Sequence, residues 1–344
     1  MTYEIKEAKI LVTGGHGLVG SAIQRVIERD SLGTGFRFFF PTKEQMNVLD
    51  FEQVNSVFQE IKPDVVIHLA AKVGGLFHNQ NNNLDYYKAN TAMSNNIFDA
   101  CSLNNVKLTV GFLSTCIYPV GLGGDPLNED DLHLGEPHQS NYGYAFGKRQ
   151  HEILARLWNE GLPQNKHYCL VPPNIYGIND NFNPATSHVI PGIIGKMYNA
   201  SNTGLGEPGP TLILPGSGQA LRQFVYSEDI AKQTLAFVML LLQTPDRKNI
   251  PTVLNIGTNS SYTIAEVANI IHQQFTVRHK FEMNFKFKET RYDPSYDGVF
   301  QKHSDTSRWI KLMGKNGVVP KTIELDEGLK KTVDWFLLNK DNKR

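Results

Sequence analysis

Residues 9–20 read KILVTGGHGLVG, and this stretch predicts how the chain begins to fold. An apolar run is followed at once by glycines at positions 14, 17 and 20, where a strand would turn into a helix. Glycines at this spacing allow a tight turn, and the helix N-terminus behind it attracts a pyrophosphate. The stretch predicts a dinucleotide site, with a merely glycine-rich turn as the alternative. The residues expected to form the site are Gly14, His16, Gly17, Leu18, Val19 and Gly20.

Short apolar runs alternate with longer helical patterns as far as about residue 175. The expected strands are Lys9 to Thr13, Phe36 to Phe40, Val65 to Leu69, Leu108 to Leu113 and Tyr168 to Val171. The expected helices are Gly17 to Arg29, Phe51 to Glu60, Leu84 to Asn104 and Tyr142 to Gly161. These strands are apolar throughout, as strands covered on both faces are. The pattern predicts an α/β fold with a doubly wound parallel sheet of the Rossmann type.

The sequence changes character after Pro172-Pro173, where glycine- and proline-rich segments such as residues 203–210 appear. A helical window at Ser227 to Leu242, followed by the apolar run Val253 to Ile256, predicts one more unit that returns to the first sheet. The predicted division is a dinucleotide-binding domain of residues 1–177, joined by about 223–259, and a smaller C-terminal α/β substrate-binding lobe of residues 178–222 and 260–344.

The composition excludes several classes of protein. The chain has 344 residues, 34 Lys plus Arg against 34 Asp plus Glu, and three cysteines. A formal charge of zero makes neither nucleic acid nor an anionic membrane an expected partner, and the longest apolar run, Leu235 to Leu242, is too short to span a bilayer. Three widely spaced cysteines form neither a disulfide framework nor a zinc pattern. With an N-terminus unlike a signal peptide, they predict a cytoplasmic protein without a metal site.

The end of the second predicted strand indicates which dinucleotide binds. It reads Phe40-Pro-Thr-Lys43, with no carboxylate before Glu44 to hold the ribose hydroxyls of NAD. We therefore predict NADP(H), with Thr42 and Lys43 at the 2′-phosphate; a solvated loop lysine is the alternative. Four further residues are expected along the adenine and the second ribose, although ordinary packing would account for them equally well. They are Asp50, Leu69, Ala70 and Ala71.

A tyrosine and a lysine four residues apart suggest catalysis. Tyr144 and Lys148 would share one face of a helix, where the cation is expected to lower the pKa of the phenol from about 10. Ser114 follows the fourth predicted strand, and ligands in doubly wound sheets bind beyond the carboxyl ends of the strands. We expect Ser114 to hydrogen-bond the substrate oxygen that Tyr144 protonates.

The glycine turn, the strand-end serine and the Tyr-x-x-x-Lys pair resemble the extended short-chain dehydrogenase/reductase family, in its nucleotide-sugar-modifying branch. Further segments carry the resemblance from residue 9 to about residue 305. They are Ala70-Ala-Lys-Val-Gly-Gly75, Leu113-Ser-Thr-Cys-Ile-Tyr-Pro119, Asn174-Ile-Tyr-Gly177, Asp180-Asn-Phe182, Ser187-His-Val-Ile-Pro191 and Arg222-Gln-Phe-Val225. The resemblance is closest to the members that epimerise and then reduce a GDP-linked 4-keto sugar with NADPH.

Two residues suit the epimerisation step. Moving a hydrogen next to a ketone from one face to the other needs one group that removes a proton and another that returns one. Cys116 and His188 can form that pair, because thiols and imidazoles titrate near neutrality. Family members that dehydrate sugars carry an acidic residue at the position of Cys116, so the cysteine argues against dehydration. A buried structural cysteine and an ordinary histidine are the alternatives.

The resemblance also implies residues that contact the nucleotide sugar. They are Asn174, Lys196, Arg222, Asp297 and Lys302, which would hold the diphosphate, guanine and ribose. Pro215 departs from the pattern, since family members often have tryptophan there, and Arg291 to Gly298 match only loosely. Both differences lie in the predicted substrate lobe and bear on which sugar is used.

Two other functions fit the same residues. One is a 4-keto reductase for a related nucleotide-activated hexose or heptose, with or without epimerisation, and the other is a non-catalytic NADP-binding protein. The helices predicted at Leu84 to Asn104 and Tyr142 to Gly161 carry more apolar surface than one sheet face covers. The family resemblance implies that they pair across a homodimer.

Overall fold

The computed structural model describes residues 7–121, 126–161, 166–183, 185–202, 211–317 and 321–339. The glycine- and proline-rich stretch 203–210 and the N-terminal residues 1–6 lie outside them. The strands are β1 Lys9–Thr13, β2 Arg37–Phe39, β3 Val65–His68, β4 Leu108–Phe112, β5 Lys166–Val171, β6 Asn174–Tyr176, β7 Thr211–Leu214, β8 Leu221–Tyr226, β9 Val253–Asn255, β10 Ser261–Thr263, β11 Asn284–Phe287 and β12 Gln301–Lys302. The helices are α1 Leu18–Asp30, α2 Phe51–Ile61, α3 Leu76–Asn81, α4 Asn83–Leu103, α5 Tyr142–Gly161, α6 Val189–Asn202, α7 Ser227–Gln243, α8 Ile264–Gln273, α9 Pro294–Asp297, α10 Ser307–Lys315 and α11 Leu325–Asn339.

The main sheet has six parallel strands in the order β2-β1-β3-β4-β5-β9. The order reverses between β1 and β3, so the carboxyl ends of these two strands form the switch point at which doubly wound sheets bind ligands. The predicted fold class is confirmed. The apolar run expected at Val253 to Ile256 is β9, which lies beside β5 at the edge of this sheet.

Both faces of the main sheet are covered, which explains why its strands are apolar throughout. Ile10 and Val12 pack on one face with α1 and α7, whereas Leu11 between them packs on the other face with α2 and α4. Successive side chains of a strand point to opposite faces of the sheet. Because both faces are buried, no position of the strand faces solvent or needs a polar residue.

A second sheet is built around β8, which pairs with β6, β10 and β12. It packs against α6, α8 and α11 in a separate apolar core that includes Phe224, Ile194 and Phe336. The last residue of β8, Tyr226, is followed directly by Ser227, the first residue of α7, which packs against α1 on the main sheet. The two cores are therefore joined without an intervening loop.

A search of the described helices for a candidate membrane span finds none that is long and apolar enough.

Candidate active site

The glycine turn lies between β1 and α1 at the switch point of the main sheet. Gly14 has a φ of 67°, a left-handed conformation that favours glycine, and a Cβ at this position would come within 2.8 Å of the Ala70 backbone nitrogen. Behind it, Gly17 caps α1 in an extended conformation and leaves the helix N-terminus open. The turn therefore has the close backbone approach and the helix end that a pyrophosphate needs.

Hydrogen bonds from three other segments hold this turn. The Ala70 nitrogen donates to the Thr13 hydroxyl oxygen at 3.1 Å, which ties the end of β3 to the end of β1. His16 bonds the carbonyl of Phe40 at 3.0 Å through Nε2, and Asn179 donates to the carbonyl of His16 at 3.3 Å. The turn is thereby linked to the loop after β2 and to the segment after β6.

The residues predicted to read the 2′-phosphate lie at the surface beside the turn. Lys43 is exposed, and Thr42 forms a small loop with Gln45 through hydrogen bonds of 2.8 and 3.3 Å. Asp50 has a local structural role: it caps α2, and its carboxylate accepts from the backbone and side-chain nitrogens of Gln53 at 3.2 and 2.8 Å. These hydrogen bonds are enough to explain why an aspartate stands at position 50, without a contact to the cofactor.

Ser114 and Cys116 lie at the carboxyl end of β4. Ser114 caps a short 3-10 turn of residues 115–117, and its hydroxyl oxygen accepts from the Cys116 nitrogen at 3.3 Å. The hydroxyl also hydrogen-bonds the phenol of Tyr144, which lies in the first turn of α5. The structure therefore brings together the serine and the tyrosine that the sequence predicted as partners.

Tyr144 differs from its sequence prediction in one respect. Burial and the neighbouring Cys116 raise the pKa of the phenol, and the hydrogen bond with Ser114 only partly opposes this. The lowering expected from Lys148 is not found: burial has the larger effect on the phenol, and the Lys148 ammonium donates to the carbonyl of Phe112 at 2.8 Å. Tyr144 is therefore a protonated phenol near neutral pH, a proton donor rather than a tyrosinate.

Lys148 lies in the interior, with 3 % of its surface exposed, and burial lowers its pKa to about 8. Beneath it the rings of His68 and His151 stack with centroids 5.6 Å apart. Burial, with repulsion from Lys148, lowers the pKa of both imidazoles, to about 3 for His68. Both rings are neutral at physiological pH. Of these three groups, Lys148 is therefore the one whose charge changes at a pH near the physiological value.

A cavity of about 310 Å³ brings together most of the residues that the sequence predicted to contact substrate. They are Asn174, His188, Lys196, Arg222, Asp297 and Lys302. His188 immediately precedes α6 and is exposed to the cavity, and desolvation by the surrounding protein lowers its pKa. Cys116 joins this group through Lys302, whose ammonium donates to the Cys116 sulfur at 3.6 Å.

Two of these residues are held by the protein itself. The Arg222 guanidinium donates to the carbonyls of Leu221, Asp297 and Phe300 at 2.7 to 3.2 Å. The Asp297 carboxylate accepts from the backbone nitrogen and hydroxyl of Ser217, both at 2.9 Å. Asp297 thus fastens the turn after Pro215 to the cavity wall, a role that the sequence pattern did not indicate.

The sequence analysis missed two residues of the site. Tyr86, on α4, packs edge-on against Tyr144 with centroids 6.3 Å apart, and its hydroxyl bonds His78 Nδ1 at 2.8 Å. His138 lines the cavity, and its Nδ1 accepts from the Ser140 nitrogen at 3.2 Å, so the neutral ring carries its proton on Nε2. Tyr86 resembled one more apolar residue of a helix, and His138 stood in a polar loop without periodicity.

A parallel doubly wound sheet with a glycine turn at its switch point, beside a Ser-Tyr-Lys group and a large cavity, defines the class of Rossmann-fold dinucleotide enzymes. Within that class the chain belongs to the NAD dependent epimerase/dehydratase family, whose model matches residues 10–257.

Individual members extend the similarity beyond the matched region. The GDP-L-fucose synthase of Dictyostelium discoideum is 33 % identical over 344 residues, which cover 100 % of both chains. The crystal structure of a GDP-L-fucose synthetase from Naegleria fowleri, bound to NADP, has a TM-score of 0.83 at 30 % identity and covers 98 % of this chain and 95 % of its own. A GDP-mannoheptose C4 reductase from Campylobacter jejuni, with NADP bound, has a TM-score of 0.78 at 25 % identity, with 96 % and 99 % covered.

Replacement of Lys148 by methionine should remove a pH dependence of stability. The pKa of Lys148 is about 8 in the folded protein and 10.5 in an ordinary lysine, so between these values the unfolded chain binds the proton that the folded chain has lost. Stability therefore rises with pH in this window. From pH 8 to 10.5 we expect the free energy of unfolding of the wild type to rise by roughly 3 kcal/mol more than that of Lys148→Met, measured by urea unfolding. A constant difference between the two proteins would show that Lys148 does not titrate in this range.

Proposed function

We propose that this protein converts GDP-4-keto-6-deoxy-D-mannose to GDP-L-fucose by 3,5-epimerisation followed by NADPH-dependent 4-reduction. The observation that carries the proposal is the cavity, in which His188 and Lys302 line one space and Lys302 contacts Cys116. A proton donor that lines the cavity, and a proton acceptor that contacts one of its lining residues, would then act beside cationic side chains suited to a diphosphate. The GDP-L-fucose synthases to which the chain is similar support the choice of sugar.

The glycine turn fits the cofactor. The Cβ of any other residue at Gly14 would clash with the backbone of Ala70, which the turn approaches closely, and the N-terminus of α1 follows the same turn. The Naegleria fowleri structure is described as bound to NADP, which supports the prediction of NADP(H). Residues 1–177 with 223–259 would hold the cofactor, and residues 178–222 with 260–344 would hold the sugar. When bound, NADPH supplies the hydride for C4.

Epimerisation comes first in the proposed sequence. The 4-ketone acidifies the hydrogens on C3 and C5, so a base can remove either as a proton while the electron pair moves onto the ketone oxygen. Cys116, as a thiolate, takes the proton and becomes a thiol. His188, in its protonated imidazolium form, returns a proton to the opposite face of the carbon and becomes neutral, and the ketone forms again. Water then takes the proton from the Cys116 thiol and reprotonates His188 before the exchange at the second carbon. Asn174, Lys196, Arg222 and Asp297 would hold the nucleotide sugar in place during both exchanges.

Reduction uses the second group of residues. Tyr144 keeps its proton near neutral pH because burial raises its pKa, so it can protonate the C4 oxygen as hydride arrives. The Ser114 hydroxyl bonds Tyr144 and would bond the same oxygen. The Lys148 ammonium donates to the carbonyl of Phe112 and, because its pKa is about 8, would add positive charge near the site at neutral pH.

A 4-keto reductase for a related GDP-linked heptose is the second candidate function. The similarity to the Campylobacter jejuni GDP-mannoheptose C4 reductase supports it. Such an enzyme would reduce its substrate without exchanging hydrogens at two carbons.

The main test follows NADPH oxidation and solvent deuterium incorporation with GDP-4-keto-6-deoxymannose. We expect Cys116→Ser to lower deuterium incorporation at C3 and C5 about a hundredfold, with NADPH still bound. Tyr144→Phe should lower hydride transfer about a hundredfold and leave deuterium incorporation intact. Tyr142→Phe, which removes a half-buried phenol two residues away, is the matched control and should change neither rate.

The outcomes separate the candidate functions. Reduction without deuterium incorporation in the wild type would indicate a simple 4-keto reductase. No NADPH oxidation at all would favour a binding protein without catalysis. Full deuterium exchange in Cys116→Ser would exclude Cys116 as the base, and undiminished hydride transfer in Tyr144→Phe would exclude Tyr144 as the acid.

Lys43 is proposed to select NADPH. An exposed cation at the end of β2 would pair with the 2′-phosphate, an interaction that NADH cannot make. We expect Lys43→Ala to weaken NADPH binding about tenfold and to leave NADH binding unchanged, measured by calorimetry. Lys107→Ala, at the opposite end of the sheet, is the control for loss of one positive charge. Equal weakening of both dinucleotides would remove the assignment.

We propose that the protein is a homodimer that pairs α4 and α5 with their copies. These helices pack closely together and still leave Leu84, Tyr87, Ile153 and Leu157 exposed. We expect twice the chain mass in light scattering at micromolar concentration. Leu157→Glu should give monomers, because it would place charges in an apolar interface.

Leu338→Glu is the matched control for the dimer. Leu338 is also exposed but lies on α11, so this variant should remain dimeric. A wild type that is monomeric at these concentrations would contradict the proposal.

A cytoplasmic location is part of the proposal. All three cysteines, Cys101, Cys116 and Cys169, are free thiols, which suits a reducing compartment.

A further inference from the structure

Lys302 has a different neighbour from the one that the sequence resemblance implied. Its ammonium donates to the Cys116 sulfur at 3.6 Å, although the two residues are 186 positions apart in the chain. The side chain is half-buried and lines the cavity, so its ammonium contacts both the thiol and the space where the sugar would bind. Binding a diphosphate would not require the Lys302 ammonium to contact the Cys116 thiol.

The backbone holds Lys302 firmly in this place. Lys302 pairs with Arg222 in the register of β12 and β8. On one side, the Leu221 nitrogen donates to the carbonyl of Phe300 at 2.8 Å, and on the other, the Leu127 nitrogen donates to the carbonyl of His303 at 2.7 Å. The ammonium is therefore presented to Cys116 by a strand that is fixed on both sides.

Two cationic side chains lie near the Cys116 sulfur. Lys302 touches the sulfur, Arg222 is close enough to interact electrostatically with it, and the phenol of Tyr144 is a further neighbour. Burial and the same two cations lower the pKa of His138, which keeps that imidazole neutral. The Asp297 carboxylate near Arg222 is engaged by Ser217. Positive charge thus dominates this corner of the cavity.

We propose that Lys302 is a positioning residue for epimerisation, which holds Cys116 as the thiolate that removes the proton. This inference rests on the proposed function for its role in the reaction, but the interaction with the thiol can be tested without any substrate. A thiolate is the reactive form of cysteine, and a nearby lysine is one of the features that increase its population.

The other two cysteines make the test selective. Cys101 and Cys169 are each 1 % exposed, and burial raises the pKa of both, to about 12 for Cys101. Cys116 is half-buried and next to a cavity. Iodoacetamide should therefore modify Cys116 in the folded protein, and peptide mass spectrometry identifies the modified residue.

The experiment measures the rate of Cys116 alkylation from pH 6 to 10 in the full protein without nucleotide. We expect Lys302→Met to react about fivefold more slowly than the wild type at pH 7, as loss of one cation near 4 Å in a watery site predicts. At pH 10 the variant should react as fast or faster, because a more basic thiolate is the better nucleophile. Lys302→Arg should keep the rate near that of the wild type. Lys196→Met, which removes a cation from elsewhere in the cavity, should also keep it.

Two results would overturn the inference. One is an unchanged rate at pH 7 in Lys302→Met. The other is a loss by the same factor at every pH, which would mean that the variant only changes access to the thiol. These results do not depend on turnover, so a wild type that fails to use a GDP-sugar would sink the proposed function and leave this measurement valid.

Discussion

One row of residues across the main sheet determines where the reactive groups lie. In the parallel register Thr13, His68, Gly111 and Cys169 stand side by side on β1, β3, β4 and β5. Gly111 is the member that permits the arrangement, because a Cβ there would overlap Nε2 of the His151 ring. The space left by that missing side chain admits the ring that stacks on His68. This neutral layer lies below Lys148.

The same register explains why three kinds of chemistry meet at one edge. Every strand of the sheet points the same way, so the glycine turn after β1, Ser114 after β4 and Asn174 after β5 all lie at the carboxyl ends. The second sheet adds Arg222 and Lys302 from two adjacent strands. Each of these residues belongs to its own segment of the sequence. The groups on the main sheet become neighbours because its strands all run in the same direction.

The sequence was sufficient wherever the signal was local. The glycine turn and the continuous apolar strands predicted the fold class, and α5 was placed from Tyr142 to Gly161 because its helical pattern lies within the segment itself. Contacts between distant segments could not be predicted in this way. Lys148 bonds a carbonyl 36 residues away, and burial by the surrounding fold raises the pKa of Tyr144. Asp297 meets Ser217 across 80 residues, and no spacing rule encodes such a pair.

The direct junction between β8 and α7 has a mechanical consequence. Tyr226 ends a strand of the second sheet and Ser227 starts a helix packed on the first, so at this crossing there is no slack residue whose backbone could rotate freely. A tilt of one lobe against the other would have to bend β8 or the first turn of α7 at this crossing. Arg222 lies only four residues before the junction, so such a bend would also move a residue that lines the cavity.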